Sequence, residues 1–313
     1  MRLLQLKDND EIHLVEFIGD QIPPYAILSH TWGSNDSEVS YKDIVEGVGK
    51  NKAGYKKIIS CGRRALTKKL EYFWVDTCAI DKSSSAELSE AINSMYRWYR
   101  NAKICFAYLE DVRPDQDIST WSTTTVRWFS RGWTLQELIA SPNLEFFAND
   151  WTLLGSKASC CEQLAAITGI HSQALAVNRP IRTFSIAQRM SWASSRSTTR
   201  PEDMAYCLLG LFDVNMPLLY GEGARNAFLR LQEGIMKDSD DRSLFAWTQP
   251  RQDHITFRGL LADSPADFAQ SRAIIPISDG AAIGTYPYEV TNAGVRMALL
   301  IGPLETTLSS HGD

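Results

Sequence analysis

The stretch Tyr25-Ala-Ile-Leu-Ser29 is a short apolar run that ends in a turn, a pattern typical of a buried β-strand. Three similar runs follow it, and amphipathic helical patterns separate them. The further strands are predicted at Tyr72–Asp76, Ile104–Leu109 and Leu144–Ala148, and the helices at Lys52–Leu70, Ser85–Asn101 and Arg131–Ala140. Strands that alternate with helices predict an α/β fold, in which helices cover both faces of a mostly parallel sheet.

Beyond this region the apolar pattern changes twice. Between residues 156 and 237 four helices are expected, at Cys160–Thr168, Ile186–Trp192, Pro201–Phe212 and Glu222–Lys237. Short apolar runs then return at Leu244–Trp247, Ala273–Ile277, Tyr286–Val290 and Val295–Ile301. The chain is therefore divided into an α/β domain (residues 1–155), a helical extension packed on it (156–240) and a β-rich tail (241–313). Because the tail has no closing element, we expect a fragment of a longer protein.

The composition is that of a globular protein. Of 313 residues, 44% are hydrophobic and 22% charged, which excludes a disordered, collagen-like or coiled-coil chain. The formal net charge of −5 argues against nucleic-acid binding, which depends on surplus Lys and Arg. No apolar run is long enough to span a membrane, and residues 1–10 show no signal peptide. Six scattered cysteines indicate reduced thiols in a cytoplasmic protein, without a metal site.

Polar loops follow two of the predicted strands. Because parallel sheets carry functional groups beyond the carboxyl ends of their strands, these loops are candidate site elements. A third element is a short helix in which two residues four positions apart share a face. The candidate residues are Ser29, His30, Thr31 and Trp32 in the first loop, Asp76 and Asp81 in the second, and Arg131, Trp133 and Glu137 in the helix. We expect Ser29, His30, Asp76, Asp81 and Glu137 to converge at one edge of the sheet.

Each candidate also has a purely structural interpretation. Ser29 and Thr31 are common capping residues, and His30 is compatible with a hydrogen-bonded structural role. The two aspartates are suited to closing their loop through backbone amides. Glu137 alone is compatible with a solvated helix carboxylate, Trp133 with the core, and the basic run from Lys50 to Lys69 with a solvated helix face.

These loops resemble the heterokaryon incompatibility (HET) domain of filamentous fungi. The matching blocks, in order, are Tyr25–Gly33, Phe73–Lys82, Glu87–Ala102 and Arg131–Leu138. Blocks resembling the helical extension common in this family are Trp192–Arg200, Glu202–Gly210 and Pro217–Gly223. The sequence departs from the family at Ala79, where many members carry a second cysteine after Cys78.

The resemblance implies a fungal intracellular allorecognition protein whose activation triggers cell death. The family has been related to Toll/interleukin-receptor (TIR) domains, which have a flavodoxin-like parallel sheet. Some TIR domains cleave NAD with a glutamate in a Trp-Cys-x-x-Glu-type motif. The segment Trp133-Thr-Leu-Gln-Glu137 has that spacing, with Thr134 in place of the cysteine. The implied activity is that of an NAD glycohydrolase with Glu137 as the catalytic residue, NAD as the substrate and no cofactor.

The implied substrate-binding residues are Ser29, His30, Trp32, Asp76, Asp81, Arg131 and Trp133. The implied partners are further copies of the chain and a NOD-like or other incompatibility protein, with no nucleic acid or membrane. A non-catalytic module that signals by homotypic assembly remains the alternative. A cysteine hydrolase at Cys78 is disfavoured, because adjacent carboxylates raise the pKa of a thiol.

Overall fold

A seven-stranded sheet organises the chain. The computed structural model describes residues 1–19, 21–34, 36–176, 179–248, 259–275, 289–291 and 294–296. The strands of the sheet are β1 (Arg2–Leu6), β2 (Ile12–Glu16), β3 (Tyr25–His30), β4 (Tyr72–Trp74), β5 (Ile104–Tyr108), β6 (Leu144–Phe147) and β7 (Leu153–Ser156). Their order is β2-β1-β4-β3-β5-β6-β7. The central strands β4, β3, β5 and β6 are parallel, and the remaining pairings are antiparallel.

The parallel strands confirm the α/β prediction. Numbered along the chain, they lie in the order 2-1-3-4, which is the order of flavodoxin-like doubly wound sheets. In such sheets the chain leaves the first strand and its neighbour in opposite directions, and a crevice opens at their carboxyl ends. Here that crevice lies beyond β3 and β5, where Ser29 pairs with Ala107 and His30 with Tyr108.

The three antiparallel strands were not predicted from the sequence. The strands β1 and β2 form an N-terminal hairpin, closed where the Lys7 amide donates to the Glu11 carbonyl at 2.9 Å. Strand β2 is an edge strand with no fully buried residue, and Leu153 in β7 is exposed. Such short edge strands carry little of the apolar periodicity that identified the central strands.

Helices cover both faces of the sheet. They are α1 (Tyr41–Val45), α2 (Ala53–Thr67), α3 (Asp76–Ala79), α4 (Ser85–Asn101), α5 (Arg127–Ser130), α6 (Trp133–Ala140), α7 (Cys161–Thr168), α8 (Ser172–Leu175), α9 (Ile186–Ser191), α10 (Asp203–Tyr206), α11 (Leu209–Phe212) and α12 (Ala224–Asp238). Because side chains alternate along a strand, β3 contributes to two cores. Ala26 and Leu28 pack with α2, whereas Tyr25 and Ile27 pack with α4 and α6.

The helical extension shares the core of α4 and α6, and this continuous core extends to α12. Three of the four predicted helices correspond to α7, α9 and α12. The single helix expected at Pro201–Phe212 is wrong, because two short helices form there, and α8 was not predicted. Gly210 of α11 lies against Tyr96 of α4, and a Cβ at Gly210 would be 2.0 Å from the Tyr96 Cβ. Glycine at this position therefore allows α11 to pack closely against α4.

In its described residues the tail is less β-rich than expected. The strand predicted at Leu244–Trp247 is wrong, because Arg242–Phe245 forms a 3₁₀-helix in which the Asp241 side chain accepts from the Ser243 amide at 2.9 Å. Ser271–Ala273 is also a 3₁₀-helix, so no strand begins at Ala273. A hairpin of β8 (Glu289–Thr291) and β9 (Gly294–Arg296) falls in the later predicted runs, whose remaining residues lie outside the described ones. The domain boundaries stay predictions. Within the described ranges no helix is long and apolar enough to cross a membrane.

Candidate functional site

Glu137 is buried at the carboxyl end of β3. Helix α6 places it there, and its side-chain Oε2 accepts a hydrogen bond from the Ser29 hydroxyl. The Trp128 indole N–H in turn donates to Ser29 Oγ at 2.8 Å. The Tyr99 hydroxyl also lies within hydrogen-bonding reach of Glu137, and it donates to the Leu28 carbonyl at 2.9 Å. The carboxyl group is therefore enclosed by polar groups from β3, α4 and α5.

The environment keeps Glu137 neutral near neutral pH. Burial is the largest effect and raises the pKa of Glu137 to about 8, and the negative charge of Asp76 acts in the same direction. The hydrogen bond from Ser29 and the buried guanidinium of Arg196 oppose this rise without reversing it. A carboxyl whose pKa lies this far above its usual value is typical of functional sites, although buried structural networks also produce such shifts.

The side chains of His30, Trp32 and Asp76 form a second group of hydrogen bonds near Glu137. The His30 ring Nε2 is 3.1 Å from Asp76 Oδ1, and the Trp32 indole N–H donates to Asp76 Oδ2 at 2.8 Å. Burial tends to raise the pKa of Asp76, but these hydrogen bonds and the charge of Lys82 hold it below its usual value. Asp76 is therefore a carboxylate, in contrast to the neutral Glu137.

One ring nitrogen of His30 has no hydrogen-bond partner within the described part of the chain. Its side chain is buried, and its Nδ1 has no hydrogen-bond partner among the described residues. Buried polar atoms are almost always satisfied in native proteins, by a protein group, a water molecule or a ligand. His30 is therefore positioned to bind a water molecule or a ligand atom next to Asp76.

Arg131 and Trp133 connect the site to the helical extension. The Arg131 guanidinium donates to Thr199 Oγ1 at 2.9 Å, and the Trp133 indole donates to Asp203 Oδ2 at 3.2 Å. The backbone of this segment also pairs with the extension, where the Gly132 amide donates to the Ser197 carbonyl at 2.9 Å. Both side chains are partly exposed, so they lie at the rim of the site and not beside the Glu137 carboxyl.

Asp81 does not join these contacts. Its Oδ1 accepts from the Ser83 amide at 2.9 Å and the Ser83 hydroxyl at 2.6 Å, which closes the turn before α4. This is the loop-closing role that the sequence also allowed. Of the five residues expected to converge, Ser29, His30, Asp76 and Glu137 form two adjoining groups of contacts, and Asp81 remains outside them.

The thiol of Cys78 is inert. Burial is the main reason why its pKa rises to about 12, and its Sγ donates to the Val39 carbonyl at 3.2 Å. A protonated, fully buried thiol is a poor nucleophile, which argues against a cysteine hydrolase. All six cysteines are free.

Sequence reasoning missed several residues of the site. Tyr99 lies within the predicted helix Ser85–Asn101 and was not among the candidate residues, and Trp128 precedes the block Arg131–Leu138. Arg196 is buried between the two parts of the molecule, where its guanidinium donates to the Arg131 carbonyl at 2.8 Å and to Thr134 Oγ1 at 3.0 Å. Nothing in the spacing of these residues relates them to Glu137, because the contacts depend on the packing of α4, α5 and the extension.

A family match covers the part of the chain that contributes the first two loops of the candidate site. Residues 25–127 match the family described as heterokaryon incompatibility protein (HET). The chain carries a HET domain. The match includes Ser29, His30, Trp32 and Asp76 and ends before Glu137. Residues 226–257 match a domain of unknown function (DUF8212).

A longer similarity extends through the helical extension. Over 275 residues the chain is 46% identical to vegetative incompatibility protein HET-E-1 of Podospora anserina. This alignment covers 84% of the chain but 20% of HET-E-1, so the chain spans about one fifth of that relative. No solved structure matches the chain significantly. The similarity to an incompatibility protein thus reaches beyond the HET match into the helical extension, while the TIR likeness rests on the motif alone.

Proposed function

We propose that this HET protein is a cytoplasmic allorecognition and cell-death effector of a fungus, which cleaves NAD at the nicotinamide–ribose bond when copies of it associate. The observation that carries the proposal is Glu137, a buried carboxyl with a raised pKa at the crevice of a doubly wound sheet. The similarity to a vegetative incompatibility protein supports the allorecognition role.

The reaction needs a carboxylate near the ribose and an aromatic surface that can bind the nicotinamide ring. The bond from ribose C1′ to the nicotinamide nitrogen breaks, and its electron pair leaves with nicotinamide as a neutral base. Water captures the resulting oxocarbenium-like carbon and loses a proton, which yields ADP-ribose. Because the leaving group is already cationic in NAD, no general acid is needed. A carboxylate at Glu137 stabilises the developing cation, and Trp32 offers an exposed aromatic surface for the nicotinamide ring.

Glu137 is enclosed in the described conformation, so it must become exposed before it can contact NAD. Only 6% of this residue is exposed, and Ser29 occupies one of its oxygens. A cation within about 4–6 Å favours the charged form of a carboxyl, so the nicotinamide ring itself lowers the pKa of Glu137 on binding. We propose that self-association, triggered by a NOD-like or other incompatibility protein, separates Ser29 from Glu137 and opens the site.

The test is nicotinamide release from NAD by concentrated, assembled protein. Glu137→Gln preserves the size of the side chain and its bond from Ser29 but cannot become anionic, so release should fall by at least about 10²–10³-fold. The matched control is Glu90→Gln, the same change at an exposed position of α4, which should act like the wild type. Equal release by folded wild-type and Glu137→Gln proteins would refute the catalytic role.

The second candidate is a non-catalytic module that signals by homotypic assembly. Its supporting observation is the same enclosure of Glu137, which suits a polar group that fixes the packing of α6 on β3. In this case verified assemblies of the wild type release no nicotinamide, and Glu137→Gln changes stability and assembly together. Assembly without any NAD cleavage therefore favours this function over the first.

A further inference from the structure

Four basic side chains gather at the crevice around Trp32. The Lys82 ammonium lies 3.6 Å from the centre of the Trp32 ring, and the Arg127 guanidinium donates to the Trp32 carbonyl. Arg131 is close enough to Arg127 for their charges to repel each other, and Arg200 is similarly close to Lys82. These four residues, here called the basic rim, come from the segment after α3, from α5 and its C-terminal cap, and from the extension.

The basic rim is unusual because its side chains form no direct ion pair within the described part of the chain, although Asp76 and Asp203 act on them from further away. None of the four side chains forms an ion pair with a carboxylate of the described residues. By contrast, five of the eight basic residues between Lys50 and Lys69 are paired with acids. The chain has five more acidic than basic residues, so four neighbouring cations without ion pairs are unexpected and indicate a binding role.

The acids nearest to the basic rim are bound to other donors. Asp76 accepts from His30 and Trp32. Asp203 accepts from Trp133 and from the Tyr220 hydroxyl, and Asp111 accepts from the backbone amide of Arg127. Among the described residues these carboxylates therefore form hydrogen bonds to other groups and no direct ion pair with the four cations.

The arrangement is held in place by the protein. The Arg131 guanidinium is fixed by Thr199, and the Arg200 guanidinium lies 4.3 Å from the centre of the Tyr220 ring. Lys82 is held over Trp32, whose indole N–H is in turn bound by Asp76. Guanidinium and ammonium groups with free donors, preorganised at one crevice, suit the oxygens of a phosphate.

We infer that Lys82, Arg127, Arg131 and Arg200 form a binding site for the phosphates of a small phosphorylated ligand, and that the helical extension completes this site through Arg200. A diphosphate, which carries two neighbouring anionic groups, suits a site that offers four cationic side chains. The assignment of these phosphates to NAD rests on the proposed function, because it places the nicotinamide end of the same ligand towards Glu137.

Calorimetric titration with inorganic pyrophosphate tests the inference. The wild type should bind it, and Arg200→Gln and Lys82→Gln should each weaken binding about tenfold or more, because a charge-assisted hydrogen bond contributes about 1.5–3 kcal/mol. Lys237→Gln, which removes an exposed lysine at the end of α12, is the matched control and should bind like the wild type. Both rim positions are exposed, so circular dichroism should show unchanged folding.

The outcomes separate this inference from the proposed function. No binding of pyrophosphate by the wild type, or equal binding by Arg200→Gln and the wild type, overturns the basic rim as a phosphate site even if nicotinamide is released. Binding that the rim variants lose supports the site even if no NAD cleavage is found. Loss of binding in Lys237→Gln to the same degree as in the rim variants would show a general charge effect and would also overturn the inference.

Discussion

Replacement of Glu137 by glutamine should change how the stability of the protein depends on pH. In the folded state burial raises the pKa of Glu137 from 4.5 to about 8. A group with a raised pKa in the folded state contributes fully to stability below its unfolded pKa, and this contribution is lost as pH rises through the folded pKa. The wild type should therefore lose stability relative to Glu137→Gln between about pH 5 and about pH 8.

The magnitude follows from the size of the shift. Between the two pKa values the folded state holds one proton more than the unfolded state, and the penalty grows by about 1.4 kcal/mol for each pH unit. Over this interval of about 3.5 pH units the difference amounts to roughly 5 kcal/mol, as an order of magnitude. Solvent screening reduces this free-energy difference only slightly, since only 6% of Glu137 is exposed.

Urea denaturation followed by tryptophan fluorescence measures the effect. The free energies of unfolding of the wild type and of Glu137→Gln are compared at several pH values, so that all other titrating groups cancel in the difference. The control Glu90→Gln changes an exposed carboxyl and should follow the wild type. Parallel curves for wild type and Glu137→Gln would mean that Glu137 is ionised and solvated in the folded protein, which would refute both its burial and its raised pKa.

Two further predictions concern the helices that hold the site. Lys157→Met should destabilise the protein by about 1–3 kcal/mol, because the buried Lys157 ammonium donates to the Leu138 carbonyl at 3.0 Å and to the Ser141 carbonyl at the end of α6. Thermal unfolding checks this against Lys237→Met, and equal melting of both variants would contradict it. Gly210→Ala should cost about 1–3 kcal/mol or more, because the added Cβ collides with Tyr96. A melting temperature equal to that of the wild type would show that α11 does not approach α4 so closely.

The sequence predicted the central fold because its signal is strong there. The four parallel strands are apolar on both faces, and the two long helices between them have clear amphipathic patterns. The strands β2 and β7 are short, partly exposed edge strands, and β1 is a run of only five residues, so the pattern of each is weak. The tail was misread because short apolar runs such as Leu244–Trp247 fit a strand or a turn equally well.

The site was only partly predictable. Loops at the carboxyl ends of parallel strands identified Ser29, His30 and Asp76, because the position of such loops follows from the topology. The hydrogen bond from Ser29 to Glu137 depends on how α6 packs, and the enclosure by Tyr99 and Trp128 depends on tertiary contacts. No local pattern contains this information, and the raised pKa of Glu137 is its direct consequence.

The matched HET segment does not contain all residues of the candidate site. The family match ends at residue 127 and thus contains Ser29, His30, Asp76, Lys82 and Arg127.

The remaining groups come later in the chain: Glu137 from α6, and Arg131 and Arg200 from the segments that pair with each other at Ser197. The packed core joins these segments to the sheet without interruption. A protein cut at the end of the family match therefore lacks the proposed catalytic carboxyl and half of the basic rim. Tests of NAD cleavage or phosphate binding require a chain that includes the helical extension, and inactivity of a shorter piece carries no information about Glu137.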